Sequence, residues 1–385
     1  MIPLGRPLIP ASAWKDLKAI LASGQLVEGA RCRAFAESLS AFTGSPHVVL
    51  INSGTSALYL ALRALGIGVG DAVVVPAYSF PATANAVAWA GATPVFADVN
   101  PLTWNLDAGT VEAALASAGV ATIRRIKAVM PVQAFGNPVD MGPLSALARS
   151  RGWKVIEDAA CALGSTLGGQ ACGTHGEVGC LSFHPRKILT TSEGGALLVR
   201  SPKLAARLEL MKNHGMQKRA GKICFLEPGL NLRFTEVGAA LGLAQMRILP
   251  ALLKERAALA GRYLAGLRKL GLTVQETVRE GAPNRQSLVA RLPFRSLAAR
   301  DRFIADMAAR NIQVNIGTYF LPYLPAFVGF GKGGGSLKGR GLQGKAEFPA
   351  AEGLFRQAIS LPLYAGMGHG AVDEVLDALA RCLPP

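Results

Sequence analysis

The chain has 385 residues, half of them apolar, with 41 Lys and Arg against 25 Asp and Glu and a formal net charge of +16. That length and apolar share permit a large core and two domains. No run of about 18 uncharged apolar residues occurs, so no membrane partner through a spanning helix is expected.

In chain order, Trp14, Leu17, Ile20 and Leu21 recur at helical spacing over residues 13–22. Short apolar runs bounded by turn residues follow at 48–51, 72–75, 94–97, 128–132, 154–157 and 196–199. Helical stretches at 56–65, 82–90, 108–118 and 141–151 separate most of them. This alternation predicts an α/β fold with a mostly parallel sheet covered on both faces. Residues 235–271 read as a long helix broken at Pro250. A strand at 288–292, a helix at 298–310, an extended piece at 312–316 and a helix at 371–382 then predict a smaller α+β domain. The expected division is 1–245 and 246–385, with residues 1–12 free to pack on the small domain. Residues 329–345, Gly-rich and basic, are expected to be a mobile loop.

The opening MIPLGRPLIPASAWKD lacks the basic and apolar regions of a signal peptide. Cys32, Cys161, Cys172, Cys180, Cys224 and Cys382 are scattered and form no C-x-x-C pair. They read as reduced thiols of a cytoplasmic protein. The positive charge suits either solubility or an anionic partner. Basic residues are dispersed and no nucleic-acid motif is present, which favours a phosphorylated small molecule over nucleic acid.

Three segments can carry chemistry. Asn52-Ser53-Gly54-Thr55-Ser56 sits between a strand and a helix, where backbone N–H groups and hydroxyls bind phosphate or simply cap the helix. Asp158 ends the strand at 154–157, where ligands of open sheets bind. Its carboxylate can hold a pyridinium nitrogen protonated, or cap the next turn. Lys187 follows the apolar stretch Cys180-Leu181-Ser182-Phe183 and precedes a Gly-rich turn, which argues for an interior loop rather than a solvated charge. A Schiff-base lysine needs partial desolvation or cationic neighbours, and Arg186 and His184 can serve as such. No G-x-G-x-x-G follows the first strand, which sets aside a nucleotide-dependent dehydrogenase. Together the cradle, Phe80 in PAYSFPAT, Asp158, Ser182 and Lys187 supply each part of a pyridoxal-phosphate (PLP) site.

The segments NSGTSAL (52–58), VPAYSFPATANAV (75–87), GATPVFADV (91–99), VIEDAACALGS (155–165), LSFHPRKILTTSEGGAL (181–197), KNHGM (212–216) and GLNLRFTEVGAALGLAQ (229–245) span much of the chain. With IPL near the start and SLP at 360–362, the chain resembles the DegT/DnrJ/StrS-type PLP-dependent sugar aminotransferases of fold type I. The resemblance implies Lys187 as Schiff-base lysine and proton shuttle, Asp158 on the ring nitrogen and Phe80 stacked on the ring. Gly54, Thr55, Ser56 and Ser182 would hold the phosphate. Cys161 would flank the ring hydroxyl, and Asn231 would reach the cofactor phosphate of a second subunit in a homodimer. His184, Lys212 and Tyr319 fall on the substrate side.

It further implies two half-reactions. An amino donor, glutamate in the family, converts PLP to pyridoxamine phosphate, which then aminates a ketone, expected to be a nucleotide-linked keto-sugar. A cyclitol or other free ketone is the alternative acceptor, and a non-catalytic regulator is the alternative from another class. In the related dehydratases histidine replaces the lysine, so Lys187 favours amination. The chain departs from the family at Cys161 (usually Gln or His), Gln133 (often His), Leu230 and Leu232 (usually Tyr) and Thr318–Pro322. Two basic clusters, Lys212, Lys218, Arg219 and Lys222, and Lys332, Lys338, Arg340 and Lys345, are expected near a phosphorylated acceptor.

Overall fold

The computed structural model describes residues 1–330 and 347–383. Its centre is a seven-stranded sheet. The strands are β1 (His47–Ile51), β2 (Ala72–Pro76), β3 (Thr93–Ala97), β4 (Ile126–Val129), β5 (Lys154–Asp158), β6 (Val178–Ser182) and β7 (Gly195–Val199). Their spatial order is β1-β7-β6-β5-β4-β2-β3. Strands β2 to β6 pair in parallel, and β7 runs antiparallel to both β6 and β1.

Every residue of β2 and of β7 is buried, as strands covered on both faces require. Along β2, Val73 and Val75 enter one core, with helix Gly54–Ala64 above it. Ala72 and Val74 enter the other, with Val129, Leu144 and Val155. The period of two thus divides one strand between two apolar layers. The chain leaves β2 towards β3 on one side and returns to β4 on the other. Open sheets with such a reversal bind ligands in a crevice beyond the carboxyl ends of their strands.

The expected mostly parallel α/β sheet is present, with three local corrections. Strand β4 ends at Val129, because Pro131 cannot donate to a ladder. The long helix is two helices, Glu236–Met246 and Leu249–Lys269, bent by 61°. The break precedes Pro250, which sits in the first turn of the second helix, where a missing N–H costs nothing. Helix Ala30–Thr43 is an addition to the expected elements; its buried Cys32, Phe35, Leu39 and Thr43 recur at helical spacing, and its N-terminus is capped from far away. Glu236 Oε1 accepts from Gly29 N and Cys32 N, both at 2.8 Å, and Oε2 from Arg31 N at 3.0 Å.

A second sheet, β8 (Thr273–Val274), β9 (Leu288–Arg291), β10 (Asn315–Ile316) and β11 (Ala358–Leu361), is antiparallel in the order β8-β9-β11-β10. Helices Leu249–Lys269, Leu297–Ala309 and His369–Cys382 cover it around Tyr263, Phe303 and Val375. The amino-terminal residues join this part: Ile2 N donates to Asn311 O at 2.7 Å, and Gln313 N to Ile2 O at 2.9 Å. We propose that the domains 1–245 and 246–385 meet at the helix break that follows Met246, within a residue or two of the expected boundary. No single described helix is long and apolar enough to cross a membrane. Lys332, Lys338, Arg340, Lys345 and most of the Gly-rich segment lie outside the described residues.

Candidate active site

The crevice is floored by the ends of β5 and β6. Asp158 lies opposite Cys180 in the parallel ladder, and Ser182 extends β6 beyond it. Ser182 in turn pairs with Gly195, and Gly195 with Ile51 of β1. This register brings the start of helix Gly54–Ala64 against Ser182. A side chain at Gly54 would lie 2.8 Å from Ser182 Cβ, and one at Gly195 would lie 2.7 Å from the Ser53 backbone. Ser53 is the N-cap, its Oγ accepting from Ser56 N at 3.0 Å. The N–H groups of Gly54 and Thr55 head the helix, where no preceding turn can accept from them. Ser53 thus caps the helix and leaves the Gly54 and Thr55 N–H groups without an intrahelical acceptor.

Asp158 is 5% exposed. Thr83 Oγ1 donates to its Oδ2 at 2.8 Å, and Ala160 N to its Oδ1 at 3.3 Å. Ser79 Oγ lies 2.9 Å from Thr83 Oγ1. Because the Thr83 proton goes to the carboxylate, Ser79 must donate to Thr83. Burial pushes the Asp158 carboxyl above its ordinary range, against the opposing pull of Thr83, Ala160 and the charge on Lys187.

Lys187 occupies the loop after β6, with its N–H on His184 O at 2.8 Å. Its Nζ donates to Cys161 Sγ at 3.0 Å, in the turn that follows Asp158. Phe80 is 62% exposed at the rim and meets Tyr319 edge-on, with centroids 6.0 Å apart. Tyr319 arrives there because Tyr319–Phe320 pairs antiparallel with Tyr78–Ser79. One lysine, one buried carboxyl, a helix N-terminus and an aromatic rim thus converge from both parts of the chain.

The model of the DegT/DnrJ/EryC1/StrS aminotransferase family matches residues 8–380. The chain belongs to that family. This aminotransferase is 32% identical to the spore coat polysaccharide biosynthesis protein SpsC of Bacillus subtilis, across 98% of this chain and 96% of that one. It is 33% identical to the GDP-perosamine synthase of Caulobacter vibrioides, across 91% and 89%. Among solved structures, the aminotransferase TlmJ of Streptoalloteichus hindustanus superposes with a TM-score of 0.87 at 30% identity, covering 99% of this chain and 98% of that one. The protein is a PLP-dependent transaminase of fold type I.

The residues of this aminotransferase fit its cofactor. A buried carboxyl raised by desolvation gains most from a cation placed against it, which a protonated pyridine nitrogen supplies. The cradle at Gly54 excludes side chains and presents backbone donors where a phosphate belongs.

Other expected site residues fare unevenly. His184 is exposed at the mouth; desolvation lowers its imidazole pKa, with Lys187 and Arg186 assisting and Glu193 opposing. Lys212 does not face the crevice. It is 4% exposed, and its Nζ is taken up by Leu50 O at 3.1 Å, Glu28 at 2.9 Å and Glu209 at 2.8 Å. Asn231 is exposed on the segment whose Leu232 O accepts from Asn52 N at 3.1 Å, beside the cradle of its own chain. Gln133 is fully buried under the site, donating to Glu157 at 3.0 Å and accepting from Val139 N at 2.6 Å. Glu157 also accepts from Gly173, His175 and Gly176 N–H groups, and so anchors the turn beyond β5. Thr83, visible within PAYSFPAT but not singled out, is the direct partner of Asp158.

Proposed function

We propose that this transaminase moves an amino group from glutamate to a keto-sugar carried on a nucleotide, with Lys187 as the residue that holds the cofactor and moves the proton. The observation that carries the reading is the contact of Lys187 Nζ with Cys161 at 3.0 Å, in the turn three residues beyond buried Asp158 at the end of β5. When bound, the cofactor supplies an electrophilic carbonyl and a cationic ring that withdraws electrons from a substrate carbon. Asp158 would keep the ring nitrogen protonated, and Thr83 would orient the carboxylate that does so. Gly54, Thr55, Ser56 and Ser182 would hold the phosphate, Phe80 would cover the ring, and Cys161 would flank its hydroxyl. The Lys187 amine would serve as the base that moves the proton. Tyr319 and His184 line the mouth and would meet the acceptor.

Support for a nucleotide-linked acceptor comes from relatives named for GDP-, dTDP- and UDP-linked sugars. Basic side chains Lys218, Arg219 and Lys222 are exposed on the hairpin Met216–Arg219/Lys222–Phe225, next in sequence to the Asn231 segment. They would attract a diphosphate. A homodimer with Asn231 serving the second subunit's phosphate completes the reading, in a cytoplasmic enzyme with reduced thiols.

The test adds glutamate to the loaded protein. The visible absorbance of the bound cofactor is expected to move to that of the amine form, and a nucleotide keto-sugar is expected to restore it. Restoration by a cyclitol ketone but by no nucleotide sugar would overturn the substrate assignment.

A further inference from the structure

The loop that carries Lys187 has no regular secondary structure between Phe183 and Thr190. An irregular loop at a reacting centre needs its backbone groups satisfied from elsewhere. Here one buried side chain of the second domain satisfies both residues that flank the lysine. Gln286 Oε1 accepts from Ile188 N at 2.9 Å, and Gln286 Nε2 donates to Arg186 O at 2.5 Å. The amide thus pairs with the chain on either side of Lys187 as a peptide group of a neighbouring strand would. Gln286 is 9% exposed.

The amide is itself held. Gln286 N donates to Asn284 Oδ1 at 2.7 Å, and Gln286 O accepts from Arg256 at 2.8 Å. Arg256, 5% exposed on the long helix, also donates to Arg285 O at 2.7 Å and Leu363 O at 3.0 Å. Asn284 reaches the other side of the same contact: its Nδ2 donates to Cys161 O and to Leu163 O, both at 2.9 Å. Residues 284–286 therefore grip both partners of the Lys187–Cys161 contact, the lysine through Gln286 and the cysteine turn through Asn284. A side chain at Gly136 would fall 1.8 Å from Asn284 Oδ1, so the first domain leaves room for this grip.

We propose that Gln286, oriented by Arg256 and Asn284, is a positioning residue for Lys187, coupling the place of the second domain to the aim of the lysine amine. The proposal rests on the reading that Lys187 carries the cofactor. Gln286 meets the lysine loop only at the backbone groups of Arg186 and Ile188 and need not touch any substrate atom. Its loss lets residues 186–188 relax and the amine drift from the reacting carbon. A misplacement of about 1 Å costs on the order of 10²-fold in rate.

The experiment compares loaded wild type with Gln286→Leu, Gln286→Glu and Val375→Ala. The last removes apolar volume from the second core and touches none of residues 184–190. Borohydride reduction and peptide mapping come first. Label on Lys187 in all four proteins upholds the underlying reading, and label on another lysine overturns it together with the proposal. Given label on Lys187, Gln286→Leu is expected to bind cofactor stoichiometrically and lose about 10- to 100-fold in kcat. Its KM for glutamate is expected to change by less than about twofold. The pH profile of its cofactor absorbance is expected to be displaced. Gln286→Glu keeps the acceptor for Ile188 N and is expected to fall between wild type and Gln286→Leu. Val375→Ala is expected to lower Tm with the wild-type kcat and absorbance profile. Wild-type kcat and profile in Gln286→Leu, or the same changes in Val375→Ala, would overturn the proposal. Should Gln286→Leu fail to fold, Gln286→Glu decides alone, with wild-type kcat and profile as the overturning result.

Discussion

The crevice has two walls, and they are built differently. The cofactor wall is made of strand ends: Asp158 on β5, Ser182 on β6 and Gly54 directly after β1 are fixed by the register of one sheet. The opposite wall, with Tyr319, Gln286 and Asn284, reaches the site through a two-residue ladder and side-chain bonds to backbone. A ladder that continues into a buried sheet leaves its end residues little freedom. A wall held by a few polar bonds depends on each of them for its aim.

Changes on the cofactor wall are expected to strike the chemistry itself. Lys187→Ala should abolish transamination with the fold intact, as read by single-turnover kinetics and circular dichroism. Asp158→Asn should retain cofactor and slow turnover by several orders of magnitude, since the ring nitrogen can then lose its proton. The same substitution should stabilise the cofactor-free protein. Burial raises the Asp158 carboxyl in the fold, so its cost is absent below the unfolded carboxylate range, near pH 4. That cost grows as pH rises through the raised folded value. The Tm advantage of Asp158→Asn without cofactor should therefore widen as pH rises above about 4. A constant advantage would contradict the burial argument.

Changes beyond that wall should have smaller and more selective effects. Lys212→Met should lower stability by about 1–3 kcal/mol, because Glu28 and Glu209 lose a buried partner but keep some solvent. Denaturation should show that loss, while the acceptor KM stays unchanged. Tyr319→Ala should raise the acceptor KM several-fold with less effect on the glutamate half-reaction, since the Tyr319 ring meets Phe80 edge-on at the rim. Neutralising Lys218, Arg219 and Lys222 should weaken a diphosphate-bearing acceptor at low salt and lose its effect at high salt, as the Debye length falls from about 10 Å at 0.1 M.

Legibility in the sequence followed the same division. Asp158 and Lys187 each end or follow an apolar run, but neither is decisive alone; the order of the segments and the family resemblance mark them, at strand ends where such folds bind ligands. The parallel sheet was legible from its alternation with helices. Lys212 was misplaced because its sequence neighbours are basic, whereas its partners Glu28 and Leu50 come from distant segments. Helix Ala30–Thr43 was legible in the spacing of Cys32, Phe35, Leu39 and Thr43, whereas its cap, Glu236, is remote in sequence. Gln286 offered no local signal at all, since an amide that braces a remote loop looks like any polar residue before a strand. Short-range patterns report the elements, and long-range polar bonds report how the elements are aimed.

The most direct measurement is borohydride reduction of the loaded protein followed by peptide mapping. The account predicts reduced cofactor on Lys187 alone, in wild type and in Asp158→Asn. Reduced cofactor on any other lysine, or none retained after denaturation, would contradict it.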